Sequence, residues 1–338
     1  MNLGLKEKVI IVTGGAKGIG EGISTSLAAE GAFVAIVGRN EQDNLRTVEA
    51  IQAAGGQAWS FVAELSEPAE CEKAIKEIAA TFGRIDGLVN NAGVNDGVGL
   101  ESGNYERFIK SLHSNLIHYY LMAHHALPYL KESKGSIVNV TSKTAETGQG
   151  GTSAYAASNG GRNALTREWA VELLPFGIRV NALVVAECYT PLYDRWIKSL
   201  PNPEETLSKI TDKIPLGKRM TSSQEIADMV AFLLSKRSSH TTGQLIHVDD
   251  PDRNRCRNLD PLVLHGLYET RCRILQVLCL PESFHLRHVN ACSWKQLLHV
   301  VLRMGRCRNL FLLIDRILVP GFQKHAGCAQ SIHHEPDR

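Results

Sequence analysis

The sequence predicts an α/β fold: a doubly wound parallel sheet of seven strands, helices on both faces, and an irregular C-terminal extension. Three observations carry this. Short β-branched apolar runs alternate with amphipathic segments through residues 1–250. The first run, Val9-Ile10-Ile11-Val12, flows directly into a glycine-rich turn, Thr13-Gly14-Gly15-Ala16-Lys17-Gly18-Ile19-Gly20. The alternation then stops after Val248-Asp249, where the composition changes.

The elements follow in order from these patterns. Apolar runs predict strands at 8–13, 33–37, 58–62, 87–90, 136–141, 178–184 and 244–248. Amphipathic stretches predict helices at 19–30, 41–54, 68–82, 105–130, 153–174 and 223–234. Strands separated by helices form a parallel sheet with right-handed crossovers, and ligands bind at its carboxyl edge. Gly14, Asn90, Ser142 and Ala186 all fall at or just past strand ends, on that edge.

The first glycine-rich turn has separable parts. Gly14 permits the tight turn, Gly18 lets the backbone approach a pyrophosphate, and Gly20 lets the next helix pack close to the sheet. The helix opening near Gly18 would aim its free N–H groups at that anion. Three glycines alone are also compatible with a purely structural turn. The spacing G-x-x-x-G-x-G, this close to the first strand, points to a dinucleotide.

Composition narrows the class. The chain has 338 residues, 43% of them hydrophobic, which is enough for a sizeable core. No N-terminal signal pattern precedes the first strand. The best membrane candidate, residues 310–322, is broken by Asp315, Arg316 and Pro320. The expectation is a soluble, cytoplasmic protein with no membrane or nucleic-acid partner.

Charge and cysteine divide unevenly. Residues 251–338 hold eleven Arg and two Lys against seven acidic residues, although the whole chain is only +2. Six of the eight cysteines lie there too, leaving Cys71 and Cys188 in the body. Arg-Cys-Arg occurs at 255–257, 271–273 and 306–308. No C-x-x-C or H-x-x-x-H spacing suggests a metal, so none is expected. The boundary is drawn at 249/250. The tail reads as a poorly ordered segment translated out of its ancestral frame, which explains the compositional jump.

Further motifs appear downstream in sequence order. Asn90-Asn91-Ala92-Gly93 follows the fourth strand, Asn115 lies mid-helix, Ser142 ends the fifth strand, and Tyr155 opens the helix Tyr155-Ala156-Ala157-Ser158-Asn159. As a set they resemble the short-chain dehydrogenase/reductase family, over residues 1 to about 250. The resemblance implies a Rossmann-type fold, NADP or NAD as cofactor, and hydride transfer to or from a carbonyl or alcohol carbon. It also implies that Tyr155 is the acid/base, that Ser142 holds the substrate oxygen and that Asn115 serves a proton relay.

Asn159 stands where the family carries lysine, so the charge that would activate Tyr155 is missing from that position. Arg162 or Lys143 could supply it, although Arg162 is expected at the solvated helix surface. An alternative is a catalytically impaired nucleotide-binding member acting as partner or remnant.

The resemblance assigns the cofactor to Gly14, Lys17, Gly18, Ile19, Gly20, Glu64, Asn91 and Gly93, with Asn90 beside them, and Thr190 to the nicotinamide. Gly38-Arg39-Asn40 lacks the acid of NAD-preferring relatives. Arg39 and Lys17 could pair with a 2′-phosphate, so NADP is preferred. The polar loop residues Asn95, Gln149 and Glu187 suggest a hydroxyl-rich substrate, an aldose or polyol. The stretches 91–101, 115–120 and 147–150 are similar to the L-fucose dehydrogenase branch. A homodimer or homotetramer is implied, with His118, His124 and His125 serving packing or the subunit interface.

Overall fold

The computed structural model describes residues 2–214 and 216–248. The boundary at 249/250 and the whole tail, with its Arg-Cys-Arg repeats, lie outside the described residues.

β1 (Val9–Thr13) is buried along its length. Its alternation serves two cores at once. Ile10 and Val12 join one apolar cluster, with Ile23 and Leu27 of α1 (Gly18–Ala29) and Ile226 and Val230 of α9 (Ser223–Leu234). Val9 and Ile11 join the other, with Ile75 and Ile78 of α3 (Pro68–Phe82), Tyr119 and Met122 of α5 (His118–Ser133), and Trp169 of α6 (Ser153–Glu172). A strand covered on both faces needs apolar residues throughout, which is why it reads as a continuous run.

The remaining strands are β2 (Phe33–Gly38), β3 (Gln57–Val62), β4 (Gly87–Asn90), β5 (Ser136–Ser142), β6 (Arg179–Val185) and β7 (Leu245–Val248). All pairings are parallel, and the order is β3-β2-β1-β4-β5-β6-β7. The chain builds outward from β1 to β3, then returns and builds the other way from β4. The reversal opens a crevice between the carboxyl ends of β1 and β4.

Two regions depart from the expected elements. The helix expected over 105–130 is interrupted: α4 (Tyr105–Leu112) and α5 flank a π-helical turn, His113–Ile117, that contains Asn115. Two further helices occupy the loop before α9, namely α7 (Pro191–Lys198) and α8 (Pro203–Thr211). α2 (Glu41–Ala53) is capped by Asn40, whose side chain accepts from the Asp43 N–H. Among the described residues, no helix is long and apolar enough to cross a membrane.

Candidate active site

The glycine turn is built largely from backbone. Gly14 and Gly18 have φ of +63° and +56°, the left-handed region that favours glycine. A Cβ on Gly20 would sit 2.1 Å from the Gly14 carbonyl oxygen. At the N-cap of α1, Lys17 provides no side-chain cap, so an anion can take the N–H groups of the first turn. The turn is fastened to the end of β4. Thr13 Oγ1 accepts from the N–H groups of Asn91 (2.9 Å) and Ala92 (3.1 Å), and Asn91 Nδ2 donates to the Thr13 carbonyl at 2.9 Å.

A cavity of about 630 Å³ runs along the carboxyl edge from this turn in both directions. On the β2–β3 side it is lined by Lys17, Arg39, Asp43 and Glu64. Both cations there already have partners: Arg39 approaches Glu64 at 3.4 Å and Lys17 meets Asp43 at 2.5 Å. Burial acts to raise the Glu64 carboxyl, but hydrogen bonds from Ser66 and Arg39 outweigh it and hold it below the usual range. With its glycine cradle and open helix terminus, this half fits a dinucleotide.

On the β5–β6 side Ser142, Tyr155 and Arg162 line the same cavity. Ser142 Oγ accepts from the Thr144 N–H at 3.3 Å, which leaves its proton for a substrate oxygen. Tyr155 lies in the first turn of α6 and is half-buried. Asn115 is fully buried, its Oδ1 accepting from the Val94 N–H at 2.7 Å.

Asn159 is also fully buried, and both ends of its amide are engaged. Nδ2 donates to the Tyr155 carbonyl at 2.8 Å, and Oδ1 accepts from Arg162 at 3.0 Å. Asn159 and Asn115 are absent from the cavity wall.

Arg162 corrects the sequence expectation. It is 3% exposed rather than a solvated charge. Its Nε donates to the Asn115 carbonyl (2.5 Å), Nη1 to the Val140 carbonyl (3.2 Å) and to Asn159, and Nη2 reaches Asn115 Oδ1 (3.5 Å). The guanidinium lies 4.1 Å over the Tyr119 ring. His118 is buried beside it, with Nε2 3.1 Å from the Ser114 carbonyl, so Nε2 carries the proton and Nδ1 has no partner. Burial, and secondarily Arg162, push this imidazole down to about 3. At 1% exposure His118 packs inside the fold, whereas His124 is exposed and stacks on Tyr120.

The predicted residues divide accordingly. Gly14, Lys17, Gly18, Ile19, Gly20, Arg39, Glu64, Asn91, Gly93, Asn95, Thr190, Ser142 and Tyr155 share the cavity. Gln149 and Glu187 do not line it. Glu187 is ion-paired with Lys143. Tyr193 also hydrogen-bonds Glu187, and burial with that contact raises its phenol well above the ordinary value. Asn90 is buried in the core, its Nδ2 donating to Asn139 Oδ1 at 3.0 Å.

Sequence reasoning missed the wall contributed by Leu192, Tyr193 and Arg195 of α7. Its signal was present. Thr190 caps the helix by accepting from the Tyr193 N–H (3.3 Å), and Pro191 is its first residue, a standard helix start.

Comparison with known proteins agrees with this geometry. A family profile described as enoyl-(acyl carrier protein) reductase matches residues 14–250. The crystal structure of Cj0485 dehydrogenase is 43% identical, with a TM-score of 0.70, over 74% of this chain and 95% of that one. An L-fucose dehydrogenase of Bos taurus is 32% identical over 71% of this chain and 87% of its own length. The structure of a variant of actinorhodin polyketide ketoreductase with NADPH is 27% identical, with a TM-score of 0.69, over 72% and 96%. The impaired-member alternative draws no support from these relatives. The chain belongs to the short-chain dehydrogenase/reductase family and is a nicotinamide-dependent oxidoreductase.

Proposed function

We propose that the protein is an NADP-preferring dehydrogenase of an aldose or polyol, with an L-fucose-like sugar as substrate. The observation that carries the reading is that Ser142 and Tyr155 line one cavity with the glycine turn. Similarity to the bovine L-fucose dehydrogenase and the polar Asn95 on the cavity wall support the sugar. Support for NADP comes from Arg39 and Lys17, with no acid at the end of β2.

Gly14, Gly18, Ile19 and Gly20 would hold the pyrophosphate, Glu64, Asn91 and Gly93 the adenosine side, and Thr190 the nicotinamide. The bound cofactor would supply a nicotinamide ring able to accept or return a hydride. The rest falls to side chains. Ser142 donates to the substrate oxygen and fixes it. Tyr155 takes the hydroxyl proton during oxidation and returns it during reduction. The reading further assigns the oxidoreductase domain to residues 1–249, the tail to a foreign extension, and the protein to a cytoplasmic homodimer or homotetramer.

The test is a screen of aldoses and polyols with NAD and NADP in parallel, followed by Arg39→Asp. Loss of the phosphate partner should cost NADP affinity about tenfold, since one charge-assisted hydrogen bond is worth about 1.5 kcal/mol at the low end. The low end applies because Arg39 is exposed and already shared with Glu64. Equal affinity of the parent for both cofactors would remove the NADP assignment. No turnover on any hydroxylated substrate would remove the sugar.

A further inference from the structure

We propose that Arg162 is the positioning residue of the catalytic cluster: it supplies the fixed positive charge that position 159 lacks, and ties together the three elements carrying Asn115, Ser142 and Tyr155. The inference rests on the reading of Tyr155 as the proton-transferring group.

The geometry is convergent. One guanidinium reaches the π-helical turn through the Asn115 carbonyl and β5 through the Val140 carbonyl, two residues before Ser142. It reaches the first turn of α6 through Asn159, whose Nδ2 holds the Tyr155 carbonyl. These four hydrogen bonds end on carbonyl and amide oxygens, not on a carboxylate, so the charge is left un-neutralised by them. Arginine does not lose its proton in proteins, so the charge is constant with pH.

The other groups around Tyr155 do not supply it. Lys143, after β5, is bound by Glu187, after β6. His118 of α5 is held neutral. Tyr119 of α5 donates its hydroxyl to the same Val140 carbonyl at 2.9 Å, and its phenol feels both Arg162 and Tyr155. On α7, Tyr193 is engaged by Glu187, and Arg195 is exposed. Glu64 and Arg39 face each other on the β2–β3 side. Arg162 is buried and lines the same cavity as Tyr155.

The experiment titrates tyrosine ionisation by ultraviolet absorbance in the full-length protein without substrate, using Tyr155→Phe to isolate the Tyr155 step. Arg162→Gln should raise the midpoint of that step by about one pH unit or more, the scale of a lost nearby charge. Adding Asn159→Lys to Arg162→Gln should bring it back down, without restoring the melting temperature lost with the four hydrogen bonds. A purely structural Arg162 would lower the melting temperature and leave the midpoint unmoved, overturning the proposal. If Arg162→Gln does not fold, Arg162→Lys decides: it keeps the charge but loses the guanidinium fork, so the midpoint should stay within about one unit of the parent while the melting temperature falls, and a rise of a full unit or more would overturn the proposal. No arm requires turnover, so failure to find a sugar substrate leaves this result separate.

Discussion

The glycine turn and the proposed catalytic cluster sit on the same sheet edge but are built in opposite ways. The turn, residues 13–20, is contiguous, and its specificity lies in missing side chains: a Cβ at Gly20 would overlap a carbonyl oxygen. The cluster draws on β5, α6 and the π-helical turn, and its order comes from buried polar side chains, above all Arg162 with its four hydrogen bonds. The turn is thus most exposed to an added atom at Gly20, and the cluster to a lost partner of Arg162. Substitutions in the two regions should separate binding from chemistry.

The largest effect tests the turn. Gly20→Ala should reduce NADPH affinity by about two decades, equivalent to roughly 3 kcal/mol of overpacking against backbone that cannot retreat. Fluorescence titration of NADPH measures it. A loss under threefold would show that helix α1 does not need its close approach to the turn.

Asp86 gives the contrast from the opposite edge of the sheet. Its side chain is nearly buried, and burial acts to raise its carboxyl, but hydrogen bonds from Arg84, the Val9 N–H and Lys8 prevail and hold it low. Because the folded-state pKa is depressed, this stabilisation is present above the ordinary carboxylate value near 4 and is lost as pH falls through the folded value. Asp86→Asn should cost about 2 kcal/mol at pH 7, with the gap from the parent closing below about pH 4. Cofactor affinity should be unchanged. Denaturant unfolding at both pH values checks this, and a gap that widens in acid would reverse the assignment.

A smaller effect is expected at Glu187. Since it holds Lys143 and Tyr193 rather than lining the cavity, Glu187→Leu should loosen the α7 wall and raise KM a few-fold for sugars and simple ketones alike. Steady-state kinetics on both substrate types decides. A loss confined to sugars would return Glu187 to the substrate pocket.

The two regions also differ in how far sequence reveals them. All seven strands and the glycine turn were legible, because buried parallel strands are apolar throughout and a sterically closed turn demands glycine at set positions. The burial of Arg162 was not. On α6 the core-facing stripe includes Ser158, Asn159, Arg162, Asn163 and Thr166. A polar stripe at helical spacing looks like a solvent face, and only partners from distant segments make it an interior one. Asn115 was placed on a helix, but the π-helical turn that carries it has no hydrophobic signature of its own.

The most direct test of the account compares the parent with Tyr155→Phe, following absorbance at 340 nm with L-fucose and NADP, and measuring NADPH binding on both proteins. The account predicts NADPH formation by the parent, none by the variant, and equal cofactor affinity, since the phenol moves the proton but does not hold the dinucleotide. Oxidation that continues at the parental rate in Tyr155→Phe would contradict it.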